Sequence, residues 1–204
     1  MENLVILTVQ STHFHLVDYG TGKLLVDAGW PEHLPRFLAQ LKQAGIALPE
    51  IRYVMMTHHH PDHAGLVQTV KRLSGARLLI HQNQLAFLNQ LANYYQGSSN
   101  FEPIQVTPQD LVSPTREDLR RIGVRGEIVT TPGHSHDSVS LVLDSGMAFI
   151  GDLHLPDMVD PSDAKNSQLT RQSWKTLADR NVKMIYPAHG SPFSFQSVVG
   201  RMDL

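Results

Sequence analysis

The chain has 204 residues, of which 41% are apolar, 18% are charged and none is cysteine. These values are typical of one globular domain with a sizeable core, and they exclude a coiled coil or a disordered chain. The lack of cysteine excludes disulfides and thiolate ligands, so any metal must be bound by His, Asp or Glu. The net charge of −2, with no basic run, argues against a dedicated nucleic-acid binder.

The N-terminal segment carries no basic region followed by a long apolar stretch, as a secretory signal would. No segment approaches the roughly 18 consecutive apolar residues that a membrane-spanning helix needs. We therefore expect no membrane association and a cytoplasmic location. Histidine is frequent, with 12 residues against 7 phenylalanines and 5 tyrosines.

Apolar periodicity and turn residues predict a chain in which strands and helices are mixed. Leu34, Phe37, Leu38 and Leu41 recur at helical spacing and are followed by Gly45, which predicts an amphipathic helix. Mixed strands and helices with several hairpins predict an α/β sandwich of two sheets covered by helices. The strands are predicted at 3–9, 13–18, 23–27, 51–56, 77–80, 126–131, 138–143, 147–151 and 182–186, and further helices at 64–73 and near 168–180.

Two segments of the chain resemble each other faintly. Residues 15–29 (HLVDYGTGKLLVDAG) and 140–152 (SLVLDSGMAFIGD) both read as a strand, an Asp/Gly turn, a second strand and an Asp beside a Gly. Each half of the chain is therefore expected to supply β-hairpins and helices, although the similarity is too short to establish a repeat.

Residues 83–121 interrupt the alternation of strands and helices. A stretch rich in Gln and Asn is followed by Gly-Ser-Ser-Asn and then by three prolines. We interpret this segment as an excursion from a single domain spanning 1–204, helical in parts, and as a candidate lid or homodimer contact. Its aromatic residues line an apolar substrate pocket, pack the segment onto the body or form a dimer face; they are Phe87, Tyr94, Tyr95 and Phe101.

The strongest functional signal lies at residues 57–63, which read Thr-His-His-His-Pro-Asp-His where a predicted strand ends and a helix begins. Three later segments each place a His or Asp directly after a predicted strand, beside a Gly or Pro. Because they follow separate strands, these side chains are expected to converge along one edge of the sheets. Five imidazoles and two carboxylates are enough to bind two divalent ions with positions left for water. The three later residues are His134, Asp152 and His189.

These four segments, with Asp27-Ala28-Gly29 upstream, resemble the metallo-β-lactamase superfamily, and the resemblance runs from about residue 3 to 195. It implies a four-layer αβ/βα sandwich of two mixed β-sheets flanked by helices. It also implies that one metal is held by three histidines and a second by Asp62, His63 and His189, with Asp152 bridging the two. Asp27 matches a position that hydrogen-bonds the ligand imidazoles. The three histidines are His58, His60 and His134.

The resemblance also indicates a branch of the family. The flavo-diiron oxidoreductases carry Glu where this chain has His60, so a redox di-iron role is not expected. Several antibiotic-hydrolysing lactamases use a cysteine ligand, whereas this chain carries Asp152. This favours the glyoxalase-II-like and lactonase-like branch. The chain leaves no room after His189 for a glutathione-binding helical domain, so glutathione thioesters are not the expected substrates.

The expected function is that of a dinuclear metal-dependent hydrolase. Two divalent ions, expected to be zinc with iron or manganese as alternatives, would share a hydroxide that attacks a small-molecule carboxylic ester, thioester or lactone. Asp62 is the candidate catalytic residue, because it could relay a proton besides binding metal. Phosphodiester and β-lactam hydrolysis on the same site remain alternatives, as does a metal-bearing ligand-binding module that turns over nothing fast.

The remaining histidines are assigned smaller roles. His59 alternates away from its neighbours in the motif and is expected to pack or hydrogen-bond behind the metal ligands. His136 and His154 lie close enough in sequence to His134 and Asp152 to contact a substrate. The other four are expected to be ordinary strand or surface residues; they are His13, His15, His33 and His81.

Overall fold

The computed structural model describes residues 3–160 and 162–200 of the chain. Within them, eleven strands form a six-stranded and a five-stranded sheet. The strands are β1 (Asn3–Val9), β2 (Thr12–Asp18), β3 (Lys23–Val26), β4 (Ile51–Met55), β5 (Arg77–Ile80), β6 (Leu111–Val112), β7 (Gly126–Thr130), β8 (Val139–Leu143), β9 (Met147–Gly151), β10 (Met184–Pro187) and β11 (Phe193–Ser194).

Eight α-helices connect or flank these strands in the described part of the chain. None of them combines the length and apolar character that crossing a membrane requires. The helices are α1 (Leu34–Gln43), α2 (Pro61–Ala64), α3 (Val67–Ser74), α4 (Gln82–Leu85), α5 (Leu88–Tyr94), α6 (Arg116–Arg121), α7 (Ala164–Ala178) and α8 (Gln196–Val199).

Both sheets are mixed. In the first, with the order β1-β2-β3-β4-β5-β6, the strands β1 to β3 are antiparallel and β3 to β6 are parallel. The second has the order β11-β10-β9-β8-β7, with β7 to β9 antiparallel and β10 parallel to β9. Each sheet thus contains an antiparallel hairpin followed by a parallel strand. The two hairpins, β2–β3 and β8–β9, are formed by the two segments that resemble each other in sequence.

The alternation of side chains along the strands determines the layers. Successive residues of a strand point to opposite faces, so a strand buried on both sides is apolar throughout. In β3, Leu24 and Val26 face the second sheet, and Leu25 packs toward the helices on the outer side. In β9, Phe149 faces the first sheet, and Ile150 packs in the cluster that includes residues of α7. The predicted four-layer α/β sandwich is therefore confirmed.

The helix predicted at 64–73 is interrupted. The structure has a short helix, α2, inside the histidine motif and a second helix, α3, after it. At the junction, a Cβ on Gly65 would lie 2.6 Å from both Pro31 Cδ and Pro61 O. The Leu66 N–H donates to the carbonyl of Gly29 instead of continuing the helix. The chain thus packs closely against the preceding loop at this point, and Asp62 and His63 lie in a separate helical turn.

The last long helix begins earlier than the sequence predicts, at Ala164 instead of near residue 168. The side chain of Asp163 accepts a hydrogen bond from the Asn166 N–H and caps the first turn. Asp at this position is a strong helix start signal, because it satisfies an otherwise unpaired amide. The apolar periodicity begins only after the cap, which explains the late predicted start.

Residues 83–121 are more closely joined to the body than expected. β6 pairs in parallel with β5 and so extends the first sheet. Leu91 on α5 and Leu119 on α6 are 1% and 0% exposed and belong to the cores. A strand of two residues carries no recognisable periodicity, which is why β6 was not predicted. Thr115 and Asp118 form a capping box that marks the start of α6.

His15 is buried in the core instead of lying on an ordinary strand face. It is 2% exposed, and its ring centroid lies 5.0 Å from that of Phe149 and 6.0 Å from that of Tyr186. Burial, together with the neighbouring His13, lowers the pKa of His15 to about 3. The residue is therefore neutral in the folded protein and becomes charged on unfolding below its ordinary pKa of about 6.5.

This burial predicts acid sensitivity. Since the unfolded state binds the proton and the folded state does not, the contribution is complete above pH 6.5 and is lost progressively as the pH falls toward 3. Between pH 7 and 5, His15 should account for a loss of about 2 kcal/mol in the free energy of unfolding. Urea unfolding of the wild type and of His15→Leu, at equal zinc concentration, measures this difference. Equal pH slopes in the two proteins would contradict it.

Candidate metal centre

Five chain segments that carry polar side chains leave the two sheets at one edge. Asp27 follows β3, and residues 56–63 follow β4 in the first sheet. In the second sheet, His134 comes after β7, Asp152 after β9 and His189 after β10. The β-strands end there, so their connections are free to place side chains between the sheets. The fold therefore brings together residues that are up to 162 positions apart in the sequence, counted from Asp27 to His189.

The structure brings the seven expected metal ligands together. They form three overlapping groups of potential donor atoms, and within each group these atoms lie within 4.8 Å of one another. His58 belongs to two groups and His63 to two, so the three groups form one continuous cluster. The groups are His58, His60 and His134; His58, His63 and Asp152; and Asp62, His63 and His189.

Asp152 lies at the centre of this cluster. Its Oδ2 atom is 3.3 Å from His63 Nε2, 3.5 Å from His134 Nε2 and 4.0 Å from His58 Nε2. Its Oδ1 atom is 3.5 Å from His189 Nε2. The carboxylate thus faces histidines of both proposed sets, which is the placement that a bridging ligand requires.

Asp62 lies on the other side of His63. Its Oδ2 atom is 3.4 Å from His63 Nε2 and 3.2 Å from His189 Nε2, and it lies 3.4 Å from the Thr12 hydroxyl. Burial would raise the pKa of Asp62, but the hydrogen bond from His189 and the closeness of the His63 imidazole outweigh burial and lower it. Asp62 is therefore an anion at neutral pH, as a metal ligand has to be.

The ring nitrogens that face away from the cluster are held by hydrogen bonds. His63 Nδ1 lies 2.9 Å from Asp27 Oδ2, and His58 Nδ1 lies 3.1 Å from the Thr57 hydroxyl. His189 Nδ1 lies 2.7 Å from the carbonyl oxygen of Ser11. Such contacts fix the ring orientation and, where the partner is a carboxylate or carbonyl, place the proton on Nδ1. The Nε2 atom then points into the cluster, where it can bind a metal once it carries no proton.

The atoms that face the cluster fit a cation. Among the described residues, His58 Nε2, His63 Nε2 and Asp152 Oδ1 are buried and have no hydrogen-bond partner. Burying such atoms unpaired costs about 1–3 kcal/mol each, so a native protein satisfies them in some way. Imidazole and carboxylate together suit Zn, Fe or Mn. The donor set of this chain therefore fits divalent metal ions.

Three of the imidazoles are held neutral. Burial, with the neighbouring histidines, keeps the pKa of His58 well below its usual value. Burial also lowers the pKa of His60, and it lowers that of His134 to about 4. Neutral imidazole is the form that binds a metal, so these three side chains need not release a proton near pH 7.

The other two imidazoles face carboxylates. Burial opposes protonation of His63, but Asp27, Asp152 and Asp62 outweigh burial and raise its pKa well above the usual value. The hydrogen bond to Asp62 raises the pKa of His189. In the metal-free protein a proton on these rings offsets the negative charge of the carboxylates, and a bound cation would take over that role.

Asp27 holds His63 and Thr57 in place from the buried side of the centre. It is 1% exposed, and its carboxylate accepts hydrogen bonds from the Thr57 N–H at 2.6 Å and from the Thr57 hydroxyl. Its backbone has φ +62°, a left-handed conformation that is uncommon for a residue other than glycine. In this strained backbone conformation the Asp27 carboxylate lies within hydrogen-bond distance of both Thr57 and His63.

Gly151 makes room for the same support. It has φ +58°, and a Cβ at this position would lie 2.4 Å from the Thr57 hydroxyl. Any side chain here would displace Thr57, which bonds both Asp27 and His58. The lack of a side chain at Gly151, next to Asp152, thus allows Thr57 to hold Asp27 and His58 in place.

His59 lies behind the cluster, where the sequence predicts it. Its backbone N–H donates to Asp137 Oδ2 at 3.0 Å, and its Nδ1 lies 2.9 Å from Asp137 Oδ1. Asp137 is 0% exposed and also accepts from the Ser135 hydroxyl. This network joins the motif after β4 to the His134 loop.

The two candidate substrate contacts differ in position. The ring of His154 lies 5.1 Å from that of His134, and His154 lines a pocket that opens beside Asp152. Its carbonyl accepts a hydrogen bond from Trp174 Nε1 at 2.7 Å. His136 is exposed and does not line that pocket. The structure thus brings His154, and not His136, to the open side of the centre.

The aromatic residues of 83–121 mainly pack this segment onto the body. Tyr95 and Phe101 stack with centroids 4.4 Å apart and lie against the first core cluster. Phe87 contacts the ring of His59, and Tyr94, which is 63% exposed, lies 6.3 Å from Trp30. None of the four lines the pocket beside Asp152.

Sequence reasoning missed the residues that hold the ligands in place, namely Thr57, Asp137, Thr12 and the carbonyl of Ser11. Thr57 and Asp137 each lie within three residues of a predicted ligand, so inspection of the motif flanks could have suggested them. Thr12 and Ser11 approach the centre through the turn between β1 and β2 and carried no signal.

The metallo-beta-lactamase superfamily model matches residues 7–189. The chain therefore belongs to this superfamily. A metallo-beta-lactamase family protein from Thermus thermophilus has the same fold, with a TM-score of 0.70, 20% sequence identity, and coverage of 98% of this chain and 78% of that one.

Two curated relatives are about a quarter identical to the chain over the residues that align. A "Beta-lactamase-like protein 2 homolog" of Caenorhabditis elegans is 26% identical over 188 residues, which are 90% of this chain and 57% of the relative. An "Atrochrysone carboxyl ACP thioesterase" of Aspergillus terreus is 25% identical over 201 residues, 96% of this chain and 55% of the relative. The chain thus spans just over half the length of these two proteins.

The support that Asp27 gives to His63 and Thr57 predicts a loss of metal affinity in Asp27→Asn. Asparagine tolerates the left-handed backbone and keeps the shape of the side chain, so this variant removes the charge alone. Its affinity for zinc should fall roughly 10- to 100-fold, as for other residues that orient metal ligands. Competition with a chromophoric chelator measures the change.

The matched control is Asp18→Asn, which removes a half-buried carboxylate that bonds Lys23 at the end of β2. Its zinc affinity should equal that of the wild type. Wild-type affinity in Asp27→Asn would show that this carboxylate does not support the centre.

Proposed function

We propose that the chain is a dinuclear metal-dependent hydrolase that acts on carboxylic thioesters or lactones. One observation carries the proposal: seven His and Asp side chains converge from separate strand ends, and buried donor atoms without partners face the space between them. His58, His60 and His134 would hold one ion. Asp62, His63 and His189 would hold the other, and Asp152 would bridge.

Divalent ions held by these residues would lower the pKa of a water molecule to about 7 and so supply hydroxide at neutral pH. In the proposed reaction a water oxygen adds to the carbonyl carbon, and the bond from that carbon to sulfur or to the ring oxygen breaks. The leaving group takes up a proton, which gives a carboxylic acid and a thiol or a hydroxy acid.

Two residues of the chain would take part in this reaction, one by relaying a proton and one by positioning the substrate. Asp62 Oδ2 lies at hydrogen-bond distance from His189 Nε2 and is an anion, so it can accept a proton at that oxygen. Because its pKa is low, it is a weak base, and it would pass the proton on to the leaving group instead of retaining it. His154 lies beside Asp152 at the open side of the centre, where it can contact the substrate.

Two observations favour a thioester or lactone over a phosphodiester or β-lactam. The Aspergillus terreus relative, which covers nearly the whole of this chain, is named a thioesterase. The ligand set also contains no cysteine, unlike that of several lactam hydrolases, and the carboxylate of Asp152 faces histidines of both proposed sets.

Metal removal tests the proposal directly. The protein as isolated should contain bound metal, and elemental analysis identifies whether it is zinc, iron or manganese. Dialysis against a chelator should abolish hydrolysis of chromogenic thioesters and lactones, and restoring that metal should recover it. Full turnover by the metal-free protein would falsify the proposed mechanism.

Single ligand substitutions provide the second test. His60→Ala and Asp62→Ala should lose bound metal and reduce kcat by on the order of 10²–10³-fold, the effect of removing one electrostatic stabiliser. His13→Ala is the control, since this histidine bonds Thr8 across the β1–β2 pair and belongs to no ligand group. Metal content and rate should be measured on the same samples. Variants that retain both would show that these residues are not ligands.

A further inference from the structure

A pocket with a volume of about 440 Å³ opens beside the metal centre. One wall is the segment that follows β9, with Leu153, Leu155 and Met158, and the other is the segment that follows β10 up to Phe193. Asp152 and His189 line the end of the pocket that meets the centre. A molecule bound in this pocket therefore has one end at the proposed reaction site.

The part of the pocket lining that the structure describes is mostly apolar and carries no cationic side chain of Lys or Arg. Six of the lining side chains are apolar, and they are Ile150, Leu153, Leu155, Met158, Pro187 and Phe193. Among the lining residues that the structure describes, none is Lys or Arg, and Asp152 is the single carboxylate. An anionic group placed among these apolar side chains, away from the metal centre, would lose its hydration without gaining a cationic partner, which is unfavourable.

The size of the pocket limits its occupant. Ligand pockets in proteins range from about 300 to 1,000 Å³, so this pocket is near the small end of the range. It has room for an acyl chain of medium length or a small ring system, but not for a large carrier in addition. The leaving group of the substrate would then lie outside this pocket.

We propose that this pocket binds the acyl part of the substrate and selects uncharged, apolar acyl groups of medium length. The inference rests on the proposed function and refines it, since it names which part of a thioester or lactone the chain recognises. Met158, which is 72% exposed at the mouth, and Leu155 are the specificity-determining residues.

An acyl series tests the inference in the metal-loaded protein. From acetyl to octanoyl thioesters of one small thiol, kcat/KM should rise roughly twofold to fourfold per methylene until the pocket is filled. A succinyl thioester should be slower than the butyryl thioester by on the order of tenfold or more, because its carboxylate has no partner in the pocket. A rate independent of chain length, or a preference for succinyl, would overturn the inference.

Substitutions of Met158 at the mouth of the pocket test whether this pocket causes the preference for longer acyl chains. Met158→Glu places a carboxylate beside the chain and should reduce the octanoyl-to-acetyl ratio by on the order of tenfold, while Met158→Leu should preserve it. Leu73→Glu is the charge-matched control, since Leu73 is 40% exposed on α3 and does not line the pocket. An unchanged ratio in Met158→Glu would place the selecting surface elsewhere.

A binding measurement separates this inference from the proposed function. Alkyl hydroxamates of increasing length carry a group that binds divalent metals, and calorimetry with the zinc-loaded protein needs no turnover. Affinity should increase with chain length in the wild type and increase less in Met158→Glu. If no thioester or lactone is hydrolysed but this trend is found, the pocket assignment stands and the proposed function is wrong. A flat series would refute the pocket assignment even if the protein is an active hydrolase.

Discussion

The structure depends on one electrostatic constraint, the confinement of five imidazoles and two carboxylates in a space of a few ångströms. Two of these side chains, His58 and His63, are completely buried. Their outer nitrogens are held by Thr57 and Asp27, so their inner nitrogens cannot turn to other partners. Such an arrangement is costly for a protein unless a cation occupies the space, because unpaired buried polar atoms lose their hydration. The rest of the fold supplies the rigidity that keeps these groups together.

That rigidity comes from the two sheets. Each sheet contributes a hairpin followed by a parallel strand, and the ligand segments leave the sheets where these strands end. The similar sequences at 15–29 and 140–152 form these hairpins, and each closes with an Asp, Asp27 in one sheet and Asp152 in the other. Asp27 supports the ligand His63 from the buried side, and Asp152 lies among the ligand histidines. A similar local structure thus serves two different roles on the two sides of the centre.

Strained and crowded positions are concentrated at this edge. Asp27 has a left-handed backbone, and Gly151 leaves no space for a Cβ because Thr57 approaches it closely. A non-glycine residue in such a conformation costs about 1–3 kcal/mol and persists only where its surroundings hold it. The hydrogen bonds of Asp27 to Thr57 and His63 provide that hold. The same contacts that orient the ligands therefore stabilise an otherwise unfavourable backbone.

The fold class, the main strands and the ligand candidates can be predicted from the amino-acid pattern alone. Strands such as β3 and β9 are apolar throughout and bounded by turns, and the spacing of residues 57–63 is itself a chemical pattern, so both can be recognised locally. Contacts between distant segments of the chain become visible only in the folded protein. The fold placed Asp137 behind His59 and brought Ser11 and Thr12 to His189 and Asp62. It also joined β6 to the first sheet and formed an apolar pocket between the segments after β9 and β10. Those contacts link residues far apart in the chain, and no local periodicity encodes which of them will meet.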